Sequence, residues 1–251
     1  MNDLQLLIDL HKRANRQGPG GDSETRKAME LAMPGASEPL KIADIGCGTG
    51  ASTMLLAREL NAQVTAVDFL PEFIDVLKTR AESEGLTNQI SPIVGSMDDL
   101  PFDDEEYDVI WSEGAIYNMG FKKGVGDWRR YLKAGGFLIV SEITWTTGER
   151  PLELQNYWEN EYSEIGTASS KISILENSGY TPVAYFTLPD HCWMNNYYLP
   201  MQNSFSGFLA RNANSEEAKT MVEAEKKEIS LYEKYKNYFS YGMYIAKKLG
   251  Q

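Results

Sequence analysis

Three glycines at alternate positions, Gly46, Gly48 and Gly50, close an apolar run in LKIADIGCGTGAST (40–53). Without Cβ atoms, such a turn bends sharply and lets a ligand lie against the backbone. Asp44 stands two residues ahead of the first glycine, and Cys47 lies inside the turn, where its contribution is backbone. Asp68 follows Gly46 by 22 residues, a spacing that suits a carboxylate accepting both hydroxyls of a ribose. Glu113, in VIWSEGA (109–115), adds a third acid. Carboxylates around a crevice repel a pyrophosphate and attract an ammonium or sulfonium group. The pattern Gly46-x-Gly48-x-x-Ala51 also satisfies the dinucleotide fingerprint. An NAD(P)-dependent oxidoreductase therefore stays open as an alternative, as does a protein that binds a cationic cofactor without catalysis.

These residues need a scaffold that brings strand ends together. Short β-rich runs at 40–45, 63–68, 90–94, 107–112 and 137–143 each end near Gly, Asp or Ser. Helical patterns fit 51–60, 71–84 and 125–132 between them. Strands alternating with helices imply right-handed βαβ units and a parallel sheet. A helix near 169–178, a strand at 182–188 and a β-rich tail at 238–249 complete the pattern. In an open parallel sheet, ligands bind at the carboxyl ends of the strands, where the strand order reverses. The three acids and the glycines all sit at such ends.

The remaining segments are additions. Leu4, Leu7, Ile8 and His11 form one stripe of an N-terminal helix within 1–17, and GPGG (18–21) separates it from a second helix reaching about Met33. Aromatic-rich stretches cover 146–168 and 190–237, and a long helix over 215–235 carries Ala218, Met221, Val222, Ile229 and Tyr232 on its apolar stripe. One domain over 1–251 is expected, with a helical cap at 1–35, a binding core at 36–145, and helical insertions that supply the substrate side.

Composition narrows the partners. The net charge of −12 disfavours nucleic acid, because phosphate backbones are repelled. Two cysteines are too few for a disulfide framework, which fits a reducing compartment. No apolar run approaches a membrane span, and the start lacks the basic region of a signal peptide, so a cytoplasmic protein is expected. With only His11 and His191, a multi-histidine metal centre is not expected.

Across 40–145 the sequence resembles the class I S-adenosylmethionine-dependent methyltransferases. The resemblance is to the small-molecule branch that holds ubiquinone/menaquinone-type C-methyltransferases and glycine or sarcosine N-methyltransferases. It rests on ADIGCGTG (43–50), VTAVDFLPEFI (64–74), GSMDDLPFDDEEYDVIWSEGAI (95–116) and YLKAGGFLIVSE (131–142). It implies a Rossmann-like α/β fold with seven mostly parallel strands in the order 3-2-1-4-5-7-6, the last strand antiparallel. It implies S-adenosylmethionine as cofactor and S-adenosylhomocysteine as product. The glycines with Cys47 would pass the methionine part, and Asp44 would help fix its amino group. Asp68 would hold the ribose, with Phe69 beside the adenine. Ser96 and Met97 stand where the family usually writes Asp-Ala at the adenine edge, and KAGG (133–136) replaces its Lys-Pro-Gly-Gly turn.

The acceptor implied is a small molecule, since the exit of the fourth strand reads Ser-Glu-Gly-Ala and lacks the Asn/Asp-Pro-Pro-aromatic motif of nucleic-acid amino methylation. Methyl transfer is an in-line displacement governed by positioning, so the absence of a catalytic triad is no objection. Tyr117, Asn118, Trp145, Trp193 and Tyr197 are the candidates for the substrate side, with Glu142 or His191 as a base where the acceptor needs one. A homodimer is compatible with this reading.

Overall fold

The structure is a computed structural model describing residues 2–33 and 38–250. The expected boundary at 35/36 lies outside the described residues.

One twisted sheet organises the chain. In sequence, β1(Leu40–Ile45), β2(Ala62–Asp68), β3(Ile90–Val94), β4(Tyr107–Glu113), β5(Leu132–Trp145), β6(Gly166–Thr167), β7(Tyr180–Thr187) and β8(Phe239–Lys248) pair in the order β3-β2-β1-β4-β5-β8-β7. The two-residue β6 hangs off β5 at Thr144 and Trp145. Set β6 aside, and this is the 3-2-1-4-5-7-6 order the resemblance implies. The β8 pairings with β5 and β7 are antiparallel, and the others are parallel. The direction of strand addition reverses between β1 and β4, which opens a crevice there.

Helices α1(Asp3–His11), α2(Asp22–Ala32), α3(Ala51–Glu59), α4(Pro71–Glu84), α5(Phe121–Trp128), α6(Leu152–Glu161), α7(Ala168–Asn177), α8(Asp190–Trp193), α9(Leu199–Arg211) and α10(Glu216–Tyr235) surround the sheet. Local chemistry sets several ends. Pro71 opens α4 and Gly85 closes it in the left-handed region. The Ser215 hydroxyl accepts the Ala218 N–H at the start of α10. One face of the sheet packs Ile42, Val64 and Trp111 against Met29 of α2, Leu56 of α3 and Leu77 of α4. The other packs Ile110, Leu138 and Tyr244 against Val125 of α5 and Leu175 of α7. A third cluster lies past the ends of β5 and β8, where α1, α6 and α8–α10 bury Trp145, Trp193 and Phe239. Among the described residues no helix is long and apolar enough to cross a membrane.

Three local expectations change. The strand expected at 137–143 begins at Leu132, because KAGG stays inside β5 as an irregularity with Gly135 at φ +75°, shifting the register opposite Tyr107 and Val109. The helix expected at 125–132 starts earlier, at Phe121, because Gly120 at φ +89° turns the chain into it. The N-terminal helix stops at His11, and its stripe divides: Ile8 and His11 are buried, while Leu4 and Leu7 stay exposed along the crevice, and the core side is taken by Leu6 and Leu10 from outside the stripe. On α10 the outward face carries the ion pair of Glu223 with Lys226.

Candidate functional site

A cleft of about 560 Å³ opens at the β1/β4 reversal, a volume ordinary for a small-molecule site. Its floor is the glycine turn. The N–H groups of Gly46 and Cys47 donate to the Val67 carbonyl, and that of Gly48 donates to Asp68 Oδ2 at 2.9 Å. Asp68 Oδ1 accepts the Leu70 N–H at 2.9 Å, so both carboxylate oxygens are aimed by backbone. Burial pushes the Asp68 carboxyl above its ordinary value, and these N–H donors oppose the rise. All three glycines adopt positive φ, at +74°, +56° and +89°.

The space that these glycines leave serves the protein's own packing. A Cβ on Gly46 would stand 2.3 Å from the Ala115 methyl, and one on Gly50 2.3 Å from Leu77. At Gly48 the neighbour is Gln17, whose Oε1 accepts the Thr49 N–H at 2.9 Å. The segment after α1 thus straps across the turn. Its Arg16 bridges Glu113 and Asp22, each at 3.0 Å. Burial alone would lower the Arg16 pKa, yet the two carboxylates outweigh it and raise it. Glu113 also accepts from the Thr25 hydroxyl at 2.7 Å and the Trp111 indole at 3.0 Å.

Cutting this bridge has a defined consequence. Arg16→Met leaves Glu113 buried with two neutral donors, which costs about 2–3 kcal/mol. The melting temperature should drop by roughly 5–10 °C, read by differential scanning calorimetry; an unchanged melt would show that the strap is not anchored there.

The cleft brings together Gly46, Cys47, Gly48, Asp68, Phe69, Ser96, Met97, Glu113, Tyr117, Asn118 and Tyr197 from the sequence expectations. Phe69 is 67% exposed, a flat apolar surface beside Asp68. The Met97 carbonyl accepts the Trp128 indole N–H at 3.1 Å, which fixes the loop after β3.

Six expected residues lie elsewhere. Asp44 is beneath the turn: its Oδ2 accepts the Ser52 and Thr53 hydroxyls at 2.8 and 2.6 Å, and its buried Oδ1 has no partner. Burial raises its pKa to about 7. Gly50 caps α3 behind the turn. Trp145 lies in the core under the Arg150 guanidinium at 4.2 Å. Trp193 is stacked between Tyr232 and Tyr241, its indole N–H donating to Ser240 at 2.9 Å. Both indoles are therefore packing elements away from the cleft, contrary to the substrate-side expectation. His191 does not line the cleft and pairs with Glu24 at 3.4 Å. Glu24, His191 and Cys192 each offer a ligand-type atom within 4.8 Å of the others, a cluster behind the Gly20–Gly21 bend.

Glu142 is fully buried, 4.0 Å from Lys171, with neither carboxylate oxygen hydrogen-bonded. That place is the core, so it does not present a base to the cleft. Desolvation raises its pKa to about 7, with Lys171 opposing. Because the folded value lies above the ordinary 4.5, folding favours the protonated form. Its stabilisation is full below about pH 4.5 and is lost as pH rises through 7. Glu142→Gln should therefore flatten the decline in melting temperature between pH 5 and 7.5; an identical slope would contradict the assignment.

Sequence reasoning missed Arg16, Gln17 and Glu225, and it read His11 only as part of an apolar stripe. Arg16 and Gln17 carry no motif, and Glu225 sits on a helix read as charged outside and apolar inside. All four line the cleft.

Residues 42–136 match the family model described as a methyltransferase domain. Methyltransferase GfsG of Streptomyces halstedii is 31% identical over 104 residues, covering 41% of this chain and 37% of that protein. The ubiquinone/menaquinone biosynthesis C-methyltransferase UbiE of Geobacter sp. (strain M21) is 26% identical over 175 residues, 68% of each chain. Over residues 42–136, then, this chain is similar to the methyltransferase domain family. It spans about half the length of several curated relatives that it matches. Among solved structures, an S-adenosylmethionine-dependent methyltransferase from Geobacter sulfurreducens, in complex with S-adenosyl-L-homocysteine, superposes with a TM-score of 0.84. It is 18% identical, and the match covers 96% of this chain and 97% of that one. The shared fold extends beyond the matched domain over nearly the whole chain.

Proposed function

We propose that this protein transfers a methyl group from S-adenosylmethionine to a small-molecule acceptor. The observation that carries the proposal is the charge arrangement of the cleft. Its acids are Asp68, Asp98, Glu113 and Glu225, and among the described residues its one lysine or arginine is Arg16, already committed to Glu113 and Asp22. Such a lining disfavours the pyrophosphate of a dinucleotide and suits a cationic donor.

The residues present fit that donor. Asp68, held by two backbone N–H groups, has lone pairs left for the ribose hydroxyls. Phe69, Ser96 and Met97 would offer the adenine a ring face and polar edges, and Gly46, Cys47 and Gly48 would hold the methionine part. When bound, the sulfonium supplies a methyl group activated for in-line displacement by a nucleophile. The exposed Leu4 and Leu7 line the cleft, and closed over a bound donor they would exclude water and strengthen each electrostatic contact inside. The same reading takes 1–251 as one methyltransferase domain. Its place would be the cytoplasm, supported by two buried, unpaired cysteines.

Methyl-labelled donor incubated with protein and a cell extract tests this. Label should appear in the small-molecule fraction and disappear with Asp68→Ala. Donor binding without transfer to any fraction would favour a non-catalytic binding protein.

A further inference from the structure

The cleft also carries a group of residues, its chamber, for which the donor reading names no contact. His11 is about nine-tenths buried and lines the cleft, and among the described residues its imidazole makes no hydrogen bond. Its Nε2 stands 4.0 Å from Glu225 Oε1, and its ring stacks at 6.4 Å on that of Tyr197. Tyr117 and Asn118, from the turn after β4, line the same end. Glu228, one helical turn beyond Glu225, accepts the Tyr198 hydroxyl at 2.8 Å. Tyr241 of β8 is 9% exposed, and its hydroxyl has no hydrogen-bond partner among the described residues. Two phenol rings, Tyr117 and Tyr197, and the Glu225 carboxylate thus line this end of the cleft, with Tyr198 packed on Tyr197 in the core behind it.

We propose, resting on the methyltransferase reading, that this chamber binds an amine acceptor as its ammonium and that Glu225 takes the proton that must leave before nitrogen can attack. Aromatic faces and a carboxylate together are the recognition set for an ammonium. The charges point the same way. Among the described residues no lysine or arginine nitrogen lies within 4.0 Å of Glu225 or Glu228. Burial lowers the His11 pKa to about 4, so the one basic neighbour is uncharged at neutral pH. Burial and the nearby Glu228 raise Glu225 to about 7, which marks a carboxylate lacking a cation. A phenolate or other anionic acceptor would add a third negative charge to this end; an ammonium relieves the repulsion.

The chemistry balances with the donor of the proposed reaction. An ammonium has no lone pair. One N–H bond breaks, its proton passes to the Glu225 carboxylate, and the electron pair stays on nitrogen. That pair forms the N–C bond as the donor's S–C bond breaks with its electrons onto sulfur. The product is a methylated ammonium, and Glu225 returns its proton to solvent. A side chain titrating near neutrality suits a base that must both accept and release a proton.

Calorimetric titration with benzylamine, and with benzyl alcohol as its uncharged isostere, tests the assignment on the free protein and on protein saturated with S-adenosylhomocysteine. Wild type should prefer the amine by about tenfold or more, the scale of one charge-assisted contact in a partly dry site. Glu225→Gln should erase that preference and leave S-adenosylhomocysteine affinity within about twofold, since ~1.4 kcal/mol is needed for a tenfold change. Glu223→Gln, outward on the same helix, should retain it. Equal binding of amine and alcohol by wild type, or an amine preference surviving in Glu225→Gln, overturns the proposal. The wild-type comparison decides even if the variant folds poorly. Failure of S-adenosylhomocysteine to bind strikes at the donor reading instead, while the free-protein titration still reports on the chamber.

Discussion

Asp68→Ala should lower the affinity for S-adenosylhomocysteine by about 100-fold or more. Two hydrogen bonds from ribose hydroxyls to one carboxylate are each worth at least ~1.4 kcal/mol, and both are lost. The substitution also releases the Gly48 and Leu70 N–H groups that the carboxylate organises at 2.9 Å each. Asp68→Asn keeps the shape but removes the charge and one acceptor, so its loss should be intermediate, about tenfold. Calorimetry on the three proteins separates these outcomes. Equal affinities would show that the carboxylate only organises the turn, and the ribose assignment would fall.

The second large effect is structural. Gly46→Ala places a methyl 2.3 Å from the Ala115 Cβ at a backbone φ of +74°. The left-handed conformation costs about 1–2 kcal/mol for an alanine, and overpacking against a short, rigid neighbour adds about 1–3 kcal/mol. The melting temperature should fall by roughly 5–15 °C, and the cleft between the ends of β1 and β4 should distort with it. The double variant Gly46→Ala/Ala115→Gly removes the clash and keeps the backbone strain. It should recover about half of the loss, giving a coupling energy of about 1–2 kcal/mol. Additive effects would show that Ala115 does not set the width of the crevice.

Much of this architecture was readable because its signals are local. β1 and β2 each end where a glycine or aspartate leads into a helix start, and β1, β3 and α4 begin and end where periodicity places them. Asp68, Gly48 and Glu113 share a cleft because they lie at strand ends on one edge of the sheet, which topology alone dictates. The misplacements have physical causes too. Trp145 and Trp193 look like substrate-side aromatics in a linear reading, but large rings beside Tyr232 and Phe239 gain more from burial together. Glu142 and His191 were plausible bases by residue type; tertiary packing set one against Lys171 and the other against Glu24. His11 and Glu225 come from helices more than 200 residues apart in sequence, and no local pattern joins them. The strap residues Arg16 and Gln17 show the same limit, because their partners Glu113 and Thr49 are distant in the chain.

The Gln17 contact bears on how the donor site works. Gln17 holds the Thr49 N–H from above while Asp68 holds the Gly48 N–H from the side. The turn is thereby set before any ligand arrives, which reduces the ordering cost of binding.

The central claim is that an acid-lined crevice at the β1/β4 reversal holds a sulfonium-type donor in preference to a dinucleotide. Titrating the wild-type protein with S-adenosylhomocysteine and, separately, with NADH tests it most directly. One S-adenosylhomocysteine per chain should bind with a dissociation constant on the order of micromolar, about −8 kcal/mol, and NADH should give no saturable heat. Saturable NADH binding, with no heat from the homocysteine adduct, would contradict the account.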